Sequence, residues 1–168
     1  MSKVSLVRVP EKPFDEEVYE AVRSAVELIG GPAAFAGTGD RVLIKPNWWC
    51  WPSETSNDPV HLLYGTTDRR LVLAAARLFV ERGCRVMIGE DPAVNRTVRR
   101  VYDGFKAAEL AQRAGAELVD LRKAGYKTVP APRGREFNEL RFSAIALEAV
   151  LIVNLPLLKA HQLTAVTL

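Results

Sequence analysis

Lys45, Glu90, Asp91, Asn154, Lys159 and His161 carry this sequence's ligand-binding and proton-moving groups just beyond the ends of apolar segments. Lys45 directly follows the run Val42-Leu43-Ile44. A lysine there must snorkel its ammonium to water or meet a carboxylate, and Glu90 or Asp91, after the run Arg85 to Ile88, is the expected partner. Asn47 lies two residues past Lys45, Asp120 falls in a further apolar run, and Asn154 closes the run Val150 to Val153. A cation, carboxylates, amides and an imidazole gathered on one rim would bind a small anion and move protons. The catalytic set expected is Lys45, Glu90, Asp91 and His161; the binding set is Asn47, Thr66, Thr67, Asn154 and Lys159. Singly, each of these residues reads as ordinary turn or cap punctuation, so the argument rests on their joint occurrence.

Gly65-Thr66-Thr67-Asp68 places hydroxyls and N–H groups at a helix start, a seat for a carboxylate or phosphate. The plain alternative is an N-cap, and Asp68 opposes an anion unless Arg69 or Arg70 compensates. Neither GxGxxG nor GxxxxGK[ST] occurs. His61 and His161 with Glu90, Asp91 or Asp120 are possible divalent-metal ligands, but no spacing pairs them and no metal site is assigned. Arg96, Arg99 and Arg100 read as a solvated helix face rather than anion contacts. Cys50 and Cys84 form no ligand pair, so the chain contains no iron–sulfur ligand set; any cofactor is left open.

Trp48, Trp49 and Trp51 stand in IKPNWWCWPSE, a stretch that Pro46 and Pro52 keep from continuing as helix or central strand. Rings of that size either roof a pocket or bury themselves against a second domain or subunit. The second reading is preferred here.

The elements that must position these groups follow from periodicity. Strands are expected at Val4 to Val9, Arg41 to Ile44, Arg85 to Ile88, Glu117 to Leu121 and Val150 to Val153. Helices are expected from a cap at Asp15 to about Ile29, from Thr66-Thr67-Asp68 to Gly83, over Tyr102 to Ala114, and briefly over Ser143 to Glu148. Pro130, Pro132 and Arg133-Gly134 make 127–142 a hairpin or excursion. Wholly apolar strands alternating with amphipathic helices predict an α/β fold: a mostly parallel sheet with helices on both faces, in three layers, with strand order unreadable.

The 168 residues, 48% hydrophobic and 26% charged, suit one soluble domain. No apolar run reaches the ~20 residues that span a bilayer, and the N-terminus lacks the apolar core of a secretory signal. A cytoplasmic protein without membrane contact is expected. A net charge of +3, with its cations scattered, gives no nucleic-acid footprint.

Taken in order, VLIKPNWW, GTTDRRLVLAAARLF, GCRVMIGEDP, AELVDL and VLIVNLPLLKAHQLTAVTL resemble the family called domain of unknown function 362, from about Val42 to Leu168. The resemblance implies a longer α/β domain, often joined to a ferredoxin-like iron–sulfur domain. Residues 1–168 would then form a single α/β domain that is an incomplete N-terminal portion. Its partners would be an iron–sulfur domain or second half-domain, and exposed apolar surface would favour a homo-oligomer. The signature positions Lys45, Pro46, Asn47, Thr66, Thr67, Glu90, Asn154, Pro156, Lys159 and His161 carry location and no established role.

Three functions are expected in turn. The first is a redox-associated enzyme domain binding an anionic small ligand at the carboxyl ends of the strands. The second is a non-catalytic interaction or scaffold module docking through Trp48 to Trp51. The third is a metal-dependent hydrolase or transferase using His61, His161 and carboxylates.

Overall fold

A computed structural model describes residues 3–48, 65–92, 98–161 and 165–167, with His161 and 165–167 in backbone only. Four parallel strands form the central sheet: β1 (Arg41–Pro46), β2 (Arg85–Glu90), β3 (Glu117–Asp120) and β6 (Leu151–Leu155), in the order β3-β2-β1-β6. β1 pairs with β2 from Arg41↔Arg85 to Ile44↔Ile88, and with β6 from Val42↔Leu151 to Pro46↔Leu155. β2 pairs with β3 from Met87↔Glu117 to Glu90↔Asp120.

Alternation along these strands sorts two cores. Val42, Ile44, Val86 and Ile88 face the larger one, packed by α2 (Arg69–Glu81), α3 (Val98–Gly104) and α4 (Ala107–Ala114). Leu43, Met87 and Val119 face the other side with Leu121, covered by Ile145, Ala146 and Ala149 in and after the single turn α5 (Ala144–Leu147). Val42, Ile44 and Ile88 are fully buried, each contributing about 2 kcal/mol of transfer free energy. Helices therefore lie on both faces of a mostly parallel sheet, the second face more thinly covered.

α1 (Asp15–Leu28) packs on α2 rather than on the sheet, through Val18 and Tyr19 against Ala74 and Leu78. Its N-cap is Phe14, whose N–H donates to the Glu17 carboxylate at 2.8 Å, and not the expected Asp15, which is the first helical residue. The expected strand at Val4 to Val9 does not form. Val4 and Leu6 stay over 90% exposed, because that stretch reaches no sheet edge. Two antiparallel hairpins complete the described chain: β4 (Tyr126–Pro130) with β5 (Glu139–Ser143), and β7 (Lys159–His161) with β8 (Ala165–Thr167). Among the described residues no helix is long and apolar enough to cross a membrane.

Candidate functional site

The sheet order reverses direction between β1 and β6. Connections from β1 through β2 to β3 run over the face of α2, α3 and α4, while the passage from β3 to β6 carries α5 on the opposite face. Such a switch point beyond the carboxyl ends of the strands is the general ligand position in open α/β sheets. Lys45 and Asn154 are register partners across that boundary.

Lys45 holds Glu90. The ammonium stands 2.9 Å from Oε1, with the lysine side chain 37% exposed and the carboxylate 5%. This is the partner expected for a lysine abutting an apolar strand. The buried carboxylate also accepts the Asp91 N–H on Oε1 at 2.8 Å and the Trp48 N–H on Oε2 at 3.0 Å. A buried charge with three donors has its lone pairs satisfied, the condition under which burial of an ion is tolerated. Below it, the Glu90 N–H donates to the Tyr102 hydroxyl at 2.8 Å, and that hydroxyl donates to Val119 O at 2.7 Å. Burial pushes the Tyr102 phenol well above its ordinary value.

Thr67 ties the tips of β1 and β6. Its hydroxyl accepts the Asn47 N–H at 2.7 Å and donates to Leu155 O at 2.5 Å, and its N–H donates to Asn47 O at 3.2 Å. The expected anion seat at this helix start is therefore occupied by the chain itself. The cap of α2 is Asp68, which accepts the Arg70 N–H at 2.8 Å. Burial would raise the Asp68 carboxyl, but its hydrogen bonds and charge pairing with Arg70 outweigh that and hold it below its ordinary value. Thr66 is buried beside Thr67. The Gly65 carbonyl accepts from Asn47 Nδ2 at 3.3 Å and from Lys159 Nζ at 3.0 Å, which brings Lys159 to the same tips.

Asp91 turns away into a different arrangement. Arg122 pairs with Oδ1, and Tyr126 donates to Oδ2 at 2.8 Å. Both carboxylate oxygens are thus engaged by the segment leading into β4, a latch rather than a free proton acceptor. Asp120, the register partner of Glu90, accepts the Arg122 N–H at 3.0 Å as a turn residue. Asn154 is exposed at the end of β6. His161 lies in β7, with its side chain outside the described residues; His61, Arg96, Trp49, Cys50 and Trp51 lie outside them altogether. Arg99 pairs with Asp103 at 3.7 Å on a strongly exposed helix face, the solvated reading of that arginine cluster. Among the described residues no group of three or more His, Cys, Asp or Glu side chains is arranged to hold a metal ion.

Trp48 corrects the picture of a surface ring. It is fully buried in the main core, stacked on Phe105 at 4.7 Å with the planes 7° apart, and its Nε1 donates to Thr67 O at 3.0 Å. The reason is geometric: two residues beyond β1 the chain still runs under α2 and α3, where an aromatic ring fills the gap between helix ends.

Sequence reading missed Tyr102, Arg122 and Tyr126. Tyr102 had a signal, since a tyrosine among Val98, Val101 and Phe105 at helical spacing needs a buried partner for its hydroxyl.

The family model described as domain of unknown function (DUF362) matches residues 42–168. The chain is 33% identical over 171 residues to a thylakoid-associated protein of Synechocystis sp., covering 98% of this chain and 47% of that protein. It thus spans about half the length of the curated relative it matches. No solved structure matches. The chain belongs to the DUF362 family.

Proposed function

We propose that this DUF362 chain binds a small anionic ligand in the crevice between the tips of β1 and β6, as part of a redox-associated enzyme domain. One observation carries the reading. The sheet reverses between the two strands whose tips bear Lys45 and Asn154 as register partners, with Lys159 on the Gly65 carbonyl beside them. Lys45 and Lys159 supply positive charge, Asn47 and Asn154 supply amides, Thr67 holds the tips together, and Thr66 is buried beside it. In this reading Glu90 orients the Lys45 ammonium, and His161 is the proton carrier. The redox association rests on the family resemblance, which also implies an iron–sulfur domain as partner.

Because Lys45 holds a buried carboxylate, reversing its charge would test folding as much as binding. Lys159 and Asn154 are the better probes. Calorimetry with inorganic phosphate and citrate is expected to show binding that weakens at least about tenfold in Lys159→Met and in Asn154→Leu, since hydrogen bonds to charged groups contribute about 1.5–3 kcal/mol. Affinity unchanged by both substitutions, or absence of binding to both anions, overturns the assignment. Docking through Trp48 to Trp51 is the second reading, and the burial of Trp48 leaves it without its first ring.

A further inference from the structure

We propose that the β4–β5 hairpin is a docking element for a bilayer surface bearing anionic headgroups. The hairpin is held at its base and beyond it leaves both faces largely in water. Tyr126 and Ser143 are register partners and share a face. Tyr126 donates to Asp91, and the buried Ser143 hydroxyl donates to Leu121 O at 2.6 Å, so these two residues fasten the base of the hairpin to the body of the protein. Arg141 lies on the same side, its guanidinium 5.2 Å from the centre of the Tyr126 ring.

The opposite, outer face is the apolar one by register. It carries the pairs Lys127↔Phe142 and Val129↔Leu140. Phe142 is 40% exposed, Leu140 45% and Phe137, in the turn, 68%. A two-stranded hairpin that presents its apolar face to water gains nothing from that face by itself, and apolar surface rimmed by charge marks an interaction site. The turn is tight: a Cβ on Gly134 would lie 2.0 Å from Phe137 O, so glycine is needed there to lift Phe137 to the tip.

Charge chooses the occupant. Lys127 shares the outward face, and Arg133 and Arg135 sit exposed in the turn, with no ion-pair partner among the described residues. Residues 126–143 hold four cations against the two carboxylates Glu136 and Glu139; Arg141 and Glu139 share the Tyr126 face, which leaves Lys127, Arg133 and Arg135 against Glu136 on the apolar face and turn. A convex tip with rings and a leucine between cations matches the interface of an anionic bilayer. There apolar side chains sink a few ångströms while Lys and Arg stay level with the phosphates. A concave acidic protein surface would need a fitted groove, whereas a lipid surface conforms to a protruding turn.

The test uses the full chain with large vesicles of phosphatidylcholine, alone or mixed equally with phosphatidylglycerol. The chain is expected to co-sediment with the mixed vesicles, weakly with the neutral ones, and less as salt rises. Arg133→Glu with Arg135→Glu should weaken binding at least about tenfold, from the roughly 1 kcal/mol that each surface cation contributes, and separately Phe137→Ser with Phe142→Ser should weaken it at least about tenfold through lost apolar burial of about 1.5–3 kcal/mol per ring. Arg133 and Arg135 are exposed in the turn, so thermal unfolding of that double variant should not move. Equal binding to neutral vesicles overturns the proposal, as does binding that ignores both double variants or no binding at all. Equal retention on immobilised polyglutamate reassigns the face to an acidic protein partner. A doubled mass in light scattering, abolished by the phenylalanine variants without vesicle binding, reassigns it to a second copy of the chain.

Discussion

Lys45 and Glu90 project from neighbouring strands whose alternation sends them to opposite sides of the sheet, yet their charged ends meet at 2.9 Å over the strand tips. The pair closes the end of the larger core, and the Trp48 and Asp91 N–H groups complete the carboxylate's shell. Removing either partner therefore strands a charge. Glu90→Ala is expected to cost about 3–5 kcal/mol, because it also orphans two backbone donors. Lys45→Met strands the buried carboxylate, which keeps its two N–H donors, and should cost about 3 kcal/mol. In a double-mutant cycle by urea unfolding, the two losses should add to more than the double variant's loss by about 1 kcal/mol or more. Strict additivity would show the pair to be uncoupled.

Trp48 joins the tip of β1 to α3 and the start of α2. Trp48→Ala should destabilise by about 3–5 kcal/mol through cavity formation. Trp48→Phe keeps most of the ring volume and the stack on Phe105 but loses the bond to Thr67 O, for about 1 kcal/mol beyond any repacking. Equal losses for the two variants would remove the ring from the core's energetics.

Gly89 is a glycine for reasons of space. A Cβ there would stand 2.8 Å from Val119 Cγ2 and 3.0 Å from Leu121 Cδ2. Gly89→Ala is expected to cost about 1–3 kcal/mol by overpacking the thinly covered face. Adding Val119→Ala should recover part of that loss in thermal unfolding. Failure of the second change to recover any of it would place the strain elsewhere.

Alkaline stability follows from Tyr19. Burial first, then its hydrogen bond to Glu81 and that carboxylate's charge, push the Tyr19 phenol from its ordinary 10 up to about 12, with Arg77 opposing. The folded value exceeds the unfolded one, so the stabilisation is fully present below pH 10 and is lost as pH rises toward 12. Stability should decline through that window, and Tyr19→Phe should flatten the decline. Tyr102, raised in the same sense, accounts for the slope that persists. A Tyr19→Phe curve parallel to the wild type between pH 10 and 12 would remove Tyr19 from the linkage.

Tyr126→Phe tests the latch that orients the hairpin. Loss of its bond to Asp91 should leave global unfolding within about 1 kcal/mol of wild type, while amide exchange over 126–143 accelerates, because local opening no longer breaks that contact. Unchanged exchange across the hairpin would assign its mounting to Ser143 alone.

Periodicity and residue type alone determined the α/β class, α1, α2, the parallel strands, the hairpin and the gathering of Lys45, Asn47, Glu90 and Lys159 at the strand ends. Those are consequences of local pattern: apolar runs need two covered faces, and a lysine after such a run needs a carboxylate. The stretch Val4 to Val9 has a strand's alternation and no sheet edge to join, so pattern without a partner failed there. Only tertiary structure decided that Glu90 and not Asp91 takes Lys45, that Asp91 serves Arg122 and Tyr126, and that Thr67 spends its hydroxyl on Asn47 and Leu155. It also decided that Trp48 is core and that the hairpin leaves Phe137, Leu140 and Phe142 exposed. Each of these is a choice between chemically equivalent partners, and only strand order and the path of the chain set the distances that make it.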